Sequence, residues 1–266
     1  NDEQLTRNLR IMTTLDYVGQ AAINNSVAET PLTADGRQFA VVMQRADGAV
    51  AGQYGGDRNA SEVDLTDKPS VSGSADKIYA YAEEFEHGDV NLETIMPDPP
   101  TFTWEGGDNG NDWSPEQSGN YCASDDSCTV AEAIAKSSNP VILQLMENRG
   151  ITSLDEMRRI MKDFGIQTET PVVPAILLGA TEASLFDRTT GINGLISNNG
   201  ARVTPYRLDT IWALENNIYV QKYFKLPAEP LPVVSETTSE MLTTALRVVP
   251  REGTASKHLA DFPSDI

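Results

Sequence analysis

The sequence predicts a mixed α+β fold: a central antiparallel sheet with helices on both faces and a mostly helical subdomain over about 73–200. Three observations carry this expectation. Two apolar runs, 39–45 and 49–54, flank Ala46-Asp47-Gly48, a strong hairpin signal. Capped stretches of helical periodicity recur between 74 and 197. Residues 202–234 then mix short strand-like runs with loops. At 266 residues the chain can bury a proper core, as one large domain or two small ones.

Taken in order, residues 8–16 form a strand-like run that stops at Asp16, which caps a helix from Tyr17 to about Val27. The 39–54 hairpin follows and begins the central sheet; Gly55-Gly56 closes its second strand. Residues 57–72 are polar and read as loop. Helical periodicity returns over 74–85. A long irregular stretch, 88–128, contains Pro97, Pro99, Pro100, Trp104, Trp113 and Pro115. Long loops of this kind often line a site, although Trp104 and Trp113 are read first as packing for the loop. From Thr129 to Arg149 the pattern is helical, broken near Ser137-Ser138-Asn139-Pro140. Ser153, with Glu156 three residues on, reads as a capping box for a helix over 154–164 that ends at Gly165. A further helix runs from Thr181 to Ser197, with Glu182 and Asp187 as capping or solvated acids, and Asn198-Asn199-Gly200 closes it. Ser235 caps a last helix over about 236–249, and 250–266 is polar and unpatterned.

Lys and Arg number 20 against 39 Asp and Glu, a net charge of −19. That balance argues against sequence-independent nucleic-acid binding, which depends on cations neutralising phosphates. It argues equally against a basic patch on a membrane surface. No run of about 20 apolar residues could span a bilayer, and no signal peptide opens the chain. The start, Asn1-Asp2-Glu3-Gln4, reads as the interior of something longer.

The only cysteines are Cys122 and Cys128. A zinc site would need two further ligands, and the only histidines, His87 and His258, are far away in sequence. The polar turn between the cysteines suits a bridged surface loop, worth about 2.4 kcal/mol on the loop-entropy model. Two free thiols are the alternative. A bridge implies an extracytoplasmic compartment. No metal or cofactor is expected.

Ser74-Ala75-Asp76-Lys77 is a Ser-x-x-Lys motif on a helix, where positions i and i+3 share a face. A serine hydroxyl needs a neighbour to take its proton. A lysine can do so when burial or a nearby cation leaves it partly neutral. Gly73 allows close backbone approach at the start of that helix. Alone, the motif also recurs by chance on exposed helices. Ser137-Ser138-Asn139 adds a second hydroxyl that could relay a proton and an amide that could hold a carbonyl or the lysine. Read alone, it is a turn that breaks a helix.

Together these segments resemble the transpeptidase domain of class A penicillin-binding proteins. Residues 9–16 with Gln20 resemble the opening of that domain, and 39–56 its first hairpin ending in Gly-Gly. Gly73-Ser74-x-x-Lys77, followed by Tyr81, resembles the nucleophile helix. Trp113-x-Pro115 and Tyr121, then the helix into Ser137-x-Asn139, resemble the approach to the second motif. Leu178-Gly179-Ala180-Thr181-Glu182, then Asn199-Gly200 and Pro205-Tyr206, match in family order. Val248-Val249 with Gly253-Thr254-Ala255 resembles the segment before the third motif.

The resemblance implies a serine transpeptidase-like fold over 1–266, apparently lacking its C-terminal strands. It implies D,D-transpeptidase chemistry on the D-Ala-D-Ala end of peptidoglycan stem peptides, and acylation by β-lactams. In that reading Ser74 is the nucleophile, Lys77 the base, Ser137 the proton relay and Asn139 the positioner, with Gly73, Trp113 and Tyr121 near substrate. The implied setting is extracytoplasmic, among cell-wall synthesis proteins. A glycosyltransferase domain and membrane anchor would lie upstream.

Three departures stand out. The family's Lys-Thr-Gly is missing, and Arg251-Glu252-Gly253-Thr254 echoes it only as a helix-ending turn. Asp76 stands where the family has a small or apolar residue; it would hold Lys77 charged unless i and i+1 simply face apart. Ser72 and Ile78 replace prolines common in the family. These departures leave two rival readings: a transpeptidase-like binding or scaffold module without acyl transfer, and a serine carboxypeptidase or β-lactamase-like hydrolase.

Overall fold

The structure, a computed structural model, describes residues 8–30, 38–57, 62–116, 122, 127–226 and 228–259. In chain order the main elements begin with β1 (Leu9–Thr13), α1 (Tyr17–Glu29), β2 (Val41–Gln44), β3 (Val50–Tyr54), β4 (Ser70–Val71) and α2 (Lys77–His87). Next come β5 (Ile95–Pro97), β6 (Trp104–Asp108), β7 (Asn111–Trp113), β8 (Ser127–Thr129), α3 (Val130–Lys136), α4 (Asn139–Arg149) and α5 (Ile151–Asp163). The chain continues with β9 (Glu182–Ala183), α6 (Leu185–Ile192), β10 (Ala201–Arg202), β11 (Leu208–Glu215), β12 (Ile218–Phe224), β13 (Leu231–Pro232) and α7 (Glu236–Leu246). Two compact units result. One comprises Asn1–Pro69 with Ser184–Leu231, the other Ser70–Ala183 with Pro232–Ile266. The first segment of the helical unit therefore ends at Ala183, earlier than the expected 200; α6 belongs to the other unit, and the chain returns to the helical unit at Pro232.

In the first unit the largest sheet is three-stranded and antiparallel, in the order β1-β11-β12. The 39–54 hairpin forms a two-stranded sheet of its own and does not begin the larger one, a correction to the expectation. Its turn is as read, with Gly48 at φ 86. Residues 202–224, expected as short strands and loops, hold the two longest strands. Asn216 and Asn217 lie at φ 49 and 64, the type I′ geometry that matches strand twist in a two-residue hairpin. Helix α1 is capped by Asp16, which accepts from the Val18 N–H at 3.0 Å. Gln20 on α1 then serves the open edge of β3. Its Oε1 accepts from Gln53 N at 3.0 Å and its Nε2 donates to Gln53 O at 3.1 Å.

The second unit is a helical core. Tyr79, Tyr81, Ile142, Leu143, Met146 and Met157 are among its largest fully buried side chains. Every residue of α2 from Lys77 to Phe85 is buried, and Gly88 ends the helix at φ 83. Helix α3 opens on a capping box between Thr129 and Glu132. Ser235 caps α7 by accepting from Thr238 N. Helix α5 corrects an expectation: it begins at Ile151, and Ser153 lies inside it. The Ser153 hydroxyl donates back to Met146 O at 2.9 Å and Gly150 O at 2.7 Å, instead of joining Glu156 in a capping box. Similarly, α6 starts after Ser184, which accepts from Asp187 N, and not at Thr181. The stretch 88–128 contains four short strands, paired β5 with β8 and β6 with β7. Among the described residues no helix is long and apolar enough to cross a membrane.

Candidate active site

Ser74 lies in a 3-10 turn, Gly73–Asp76, that leads directly into α2. The turn is held by a close backbone approach. Gly179 O accepts from both Ser72 N at 3.2 Å and Gly73 N at 3.3 Å. A Cβ on Gly179 would stand 1.6 Å from Gly73 O, and Gly179 is at φ +82, so only glycine fits there. Gly73 itself needs its φ of +60, since a Cβ on it would meet nothing. Strands β4 and β9 pair alongside, Ser70 with Ala183 and Val71 with Glu182. The Leu178-Gly179-Ala180-Thr181-Glu182 stretch is thus the buttress of the Ser74 turn. In the sequence this stretch is a family marker, and the glycine that ends its apolar run is the local signal of the buttress.

Lys77 opens α2 and is 4% exposed. Its Nζ donates to Ser137 O at 2.6 Å, Ser137 Oγ at 3.0 Å and Asn139 Oδ1 at 2.5 Å. The turn between α3 and α4 makes this possible. Ser137 ends α3 in the left-handed region, at φ 58, a conformation that costs a non-glycine residue about 1 kcal/mol or more. That bend turns the Ser137 carbonyl and hydroxyl toward Lys77. Ser138 then caps α4 by accepting from Val141 N at 3.3 Å, and Asn139 follows on the first turn. Burial pushes Lys77 down to about 8 from the ordinary lysine value, because a dry site disfavours the charged amine. Asp76, whose charge was a concern, is buried in the preceding turn and is not among the causes of that shift.

Ser74 is exposed, and its hydroxyl makes no hydrogen bond among the described residues. The fold therefore brings Lys77, Ser137 and Asn139 into one cluster, with Ser74 one helical turn before Lys77. Trp113 lies in the 88–128 stretch, on β7, paired with Trp104. Among the described residues of that stretch, Glu116 reaches the cluster: its carbonyl accepts from Asn139 Nδ2 at 3.5 Å. Tyr121 lies outside the described residues. Cys122 and Cys128 are joined as a disulfide. Asp98 and these two sulfurs place three donor atoms close together, but the metal ligand is a thiolate, not a bridged sulfur. The Arg251–Thr254 segment ends a short helix, Val249–Glu252, against α3, where Thr254 N donates to Ala135 O at 3.2 Å.

The family model for the penicillin binding protein transpeptidase domain matches residues 38–175. Penicillin-binding protein 1A of Rickettsia bellii is 28% identical over 237 residues, covering 81% of this chain and 29% of that protein. The same protein of Rickettsia prowazekii is 28% identical over 173 residues, covering 64% and 21%. The chain thus spans less than a third of the length of these curated relatives. Among solved structures, the penicillin-binding protein PonA1 from Mycobacterium tuberculosis superposes with a TM-score of 0.75 at 20% identity, over 94% of this chain and 65% of that one. PonA1 has also been solved in complex with penicillin V, with a TM-score of 0.73, 21% identity and coverage of 94% and 66%. The D,D-transpeptidase domain of a peptidoglycan glycosyltransferase from Eggerthella lenta gives 0.72 at 20% identity, over 92% and 67%. At these identities the structural likeness speaks for the fold.

Proposed function

The chain belongs to the penicillin-binding protein transpeptidase domain family, and from that premise we propose that it is a serine D,D-transpeptidase acting on peptidoglycan stem peptides outside the cytoplasm. The observation that carries the reading is a buried lysine held by Ser137 and Asn139, one turn after an exposed serine. Ser137 O and Asn139 Oδ1 can only accept, so they engage the two N–H bonds of a neutral Lys77 amine. Its lone pair is left for a hydroxyl proton.

In the proposed reaction Ser74 Oγ attacks the penultimate D-Ala carbonyl carbon and its proton passes to Lys77. Ser137 relays that proton to the departing amine as the C–N bond breaks and D-alanine leaves. The amine of a second strand then attacks the ester, frees Ser74 Oγ and forms the cross-link. A β-lactam would stop at the ester stage.

Intact-mass analysis after incubation with a β-lactam tests this. The expected result is one adduct, mapped to Ser74 and absent from Ser74→Ala. An adduct that persists in Ser74→Ala overturns the assignment. Acylation should also rise with pH through about 8, as Lys77 loses its proton. A flat profile there removes Lys77 as the base. The second reading, a binding module without acyl transfer, is favoured by one observation: Arg251–Thr254 ends a short helix against α3, so it is not itself a third-motif strand. Binding of a stem peptide with no adduct would support it.

A further inference from the structure

Asp98 follows β5 in the run Met96-Pro97-Asp98-Pro99-Pro100 and is 3% exposed. Among the described residues each of its oxygens has one hydrogen-bond partner. Oδ1 accepts from Ser138 Oγ at 2.6 Å, and Oδ2 accepts from Cys122 N at 2.9 Å. Among the described residues it has no ion pair. Nearby lies the Tyr81 hydroxyl, buried and without a hydrogen-bond partner among the described residues. Burial, with Asp98 and Glu84 adding negative charge, holds the proton on that phenol. A carboxylate kept dry without a cation is costly, and stability alone would be better served by an apolar side chain.

What Asp98 holds explains its presence. Ser138 stands between the two residues that grip Lys77. Its hydroxyl donates to Asp98 while accepting from Val141 N, so the carboxylate fixes the rotamer that caps α4. The other oxygen ties this clamp to the backbone of a half-cystine. Cys122 is bonded to Cys128, and Cys128 is opposite Met96 in the β5–β8 pair. The clamp is therefore anchored on both sides.

We propose that Asp98 is a positioning residue for the Ser74–Lys77 centre, clamping Ser138 so that Ser137 and Asn139 keep their places around the Lys77 amine. The proposal rests on the serine transpeptidase reading for its catalytic consequence. Ser137 and Asn139, which face Lys77 from the α3–α4 turn, are neutral; Asp76 precedes it on its own segment. A looser turn would admit water and let the amine hold its proton more tightly.

The test compares Asp98→Ala, the near-isosteric Asp98→Asn, Ser138→Ala and the double variant Asp98→Ala/Ser138→Ala. Two readouts are needed: the β-lactam acylation rate per folded molecule, and the Lys77 titration followed by NMR of its ε-carbon. Asp98→Ala should lose at least about tenfold in rate, the scale of small misplacements in a reacting pair. Its Lys77 midpoint should move upward. Asp98→Asn should lose less, since a carboxamide can still accept from Cys122 N and donate to Ser138 Oγ. The double variant should be no slower than the slower single one, because both remove one contact. Wild-type rates and an unmoved Lys77 in Asp98→Ala, or losses that multiply in the double variant, overturn the proposal. If Asp98→Ala does not fold, Asp98→Asn is judged by the same Lys77 shift. If the wild-type chain itself is never acylated, the transpeptidase reading falls. The Lys77 titration then decides the clamp alone: an upward shift upholds it and equal midpoints sink it.

Discussion

Helix α2 and strand β12 invert each other. From Lys77 to Phe85 every residue of α2 is buried, including Lys77, Glu83 and Glu84. All seven residues of β12 are exposed, including Tyr219, Val220, Tyr223 and Phe224. The contrast shows that residue type does not assign the core. Apolar surface can stay wet at modest cost, whereas a buried charge has to find partners. The three buried charges of α2 have them: Lys77 in Ser137 and Asn139, and both glutamates in Arg149. The charges of α2 are therefore the informative residues, and the aromatics of β12 are not.

The largest expected effect is at the turn that feeds α2. Gly179→Ala forces a side chain into Gly73 O, so it should cost at least about 3 kcal/mol and displace Ser74. Denaturant unfolding and acylation should fail together. A near-neutral result would show that the buttress is soft. Next is Arg149, whose Nη1 donates to Glu83 and also to Glu84 at 3.4 Å. Arg149→Ala strands two buried carboxylates and should cost about 3–5 kcal/mol. The matched control is Lys222→Ala, which removes an exposed pair with Glu215 at 2.6 Å and should cost no more than about 1 kcal/mol. Equal costs would erase the contrast between the two regions.

A pH effect comes third. Burial, and then the charge of Glu83, raise Glu84 to about 7. An acid with a raised folded value contributes stability that is present below its unfolded value and lost as pH rises through about 7. Lys77 has the opposite sign: with its folded value lowered to about 8, stability rises as pH climbs from about 8 toward the ordinary lysine range. Melting temperature against pH should therefore dip near neutrality and recover in alkali, and Glu84→Gln should flatten the acid side. A dip unchanged in Glu84→Gln would remove that residue as its source. The smallest effect is on β12, where Tyr223→Thr should stay within about 0.5 kcal/mol of the parent.

The parts of this structure visible in the sequence are those decided within a few residues. Asp16 and Ser235 cap their helices, and Gly48 makes its turn, because a cap or turn is satisfied by the backbone two or three positions away. Where local signals competed, the reading slipped. Ser153 and Glu156 have capping-box spacing, yet the Ser153 hydroxyl found carbonyls of the preceding turn instead. The β11–β12 hairpin is hard to read from the sequence because Asn216-Asn217 is a weaker turn signal than Asn-Gly, and β12 is exposed along its whole length.

Legible in the sequence alone are the family, the order of its motifs and the candidates for the reacting groups, Ser74, Lys77, Ser137 and Asn139. Their meaning was settled by contacts between distant positions. Lys77 meets Ser137 across 60 residues, Asp98 meets Ser138 across 40, and Arg149 meets Glu83 across 66. No local spacing encodes those pairs. Burial decides which lysine sheds its proton, which glycine has no room for a methyl, and which carboxylate must be clamped, and burial exists only once the chain has packed.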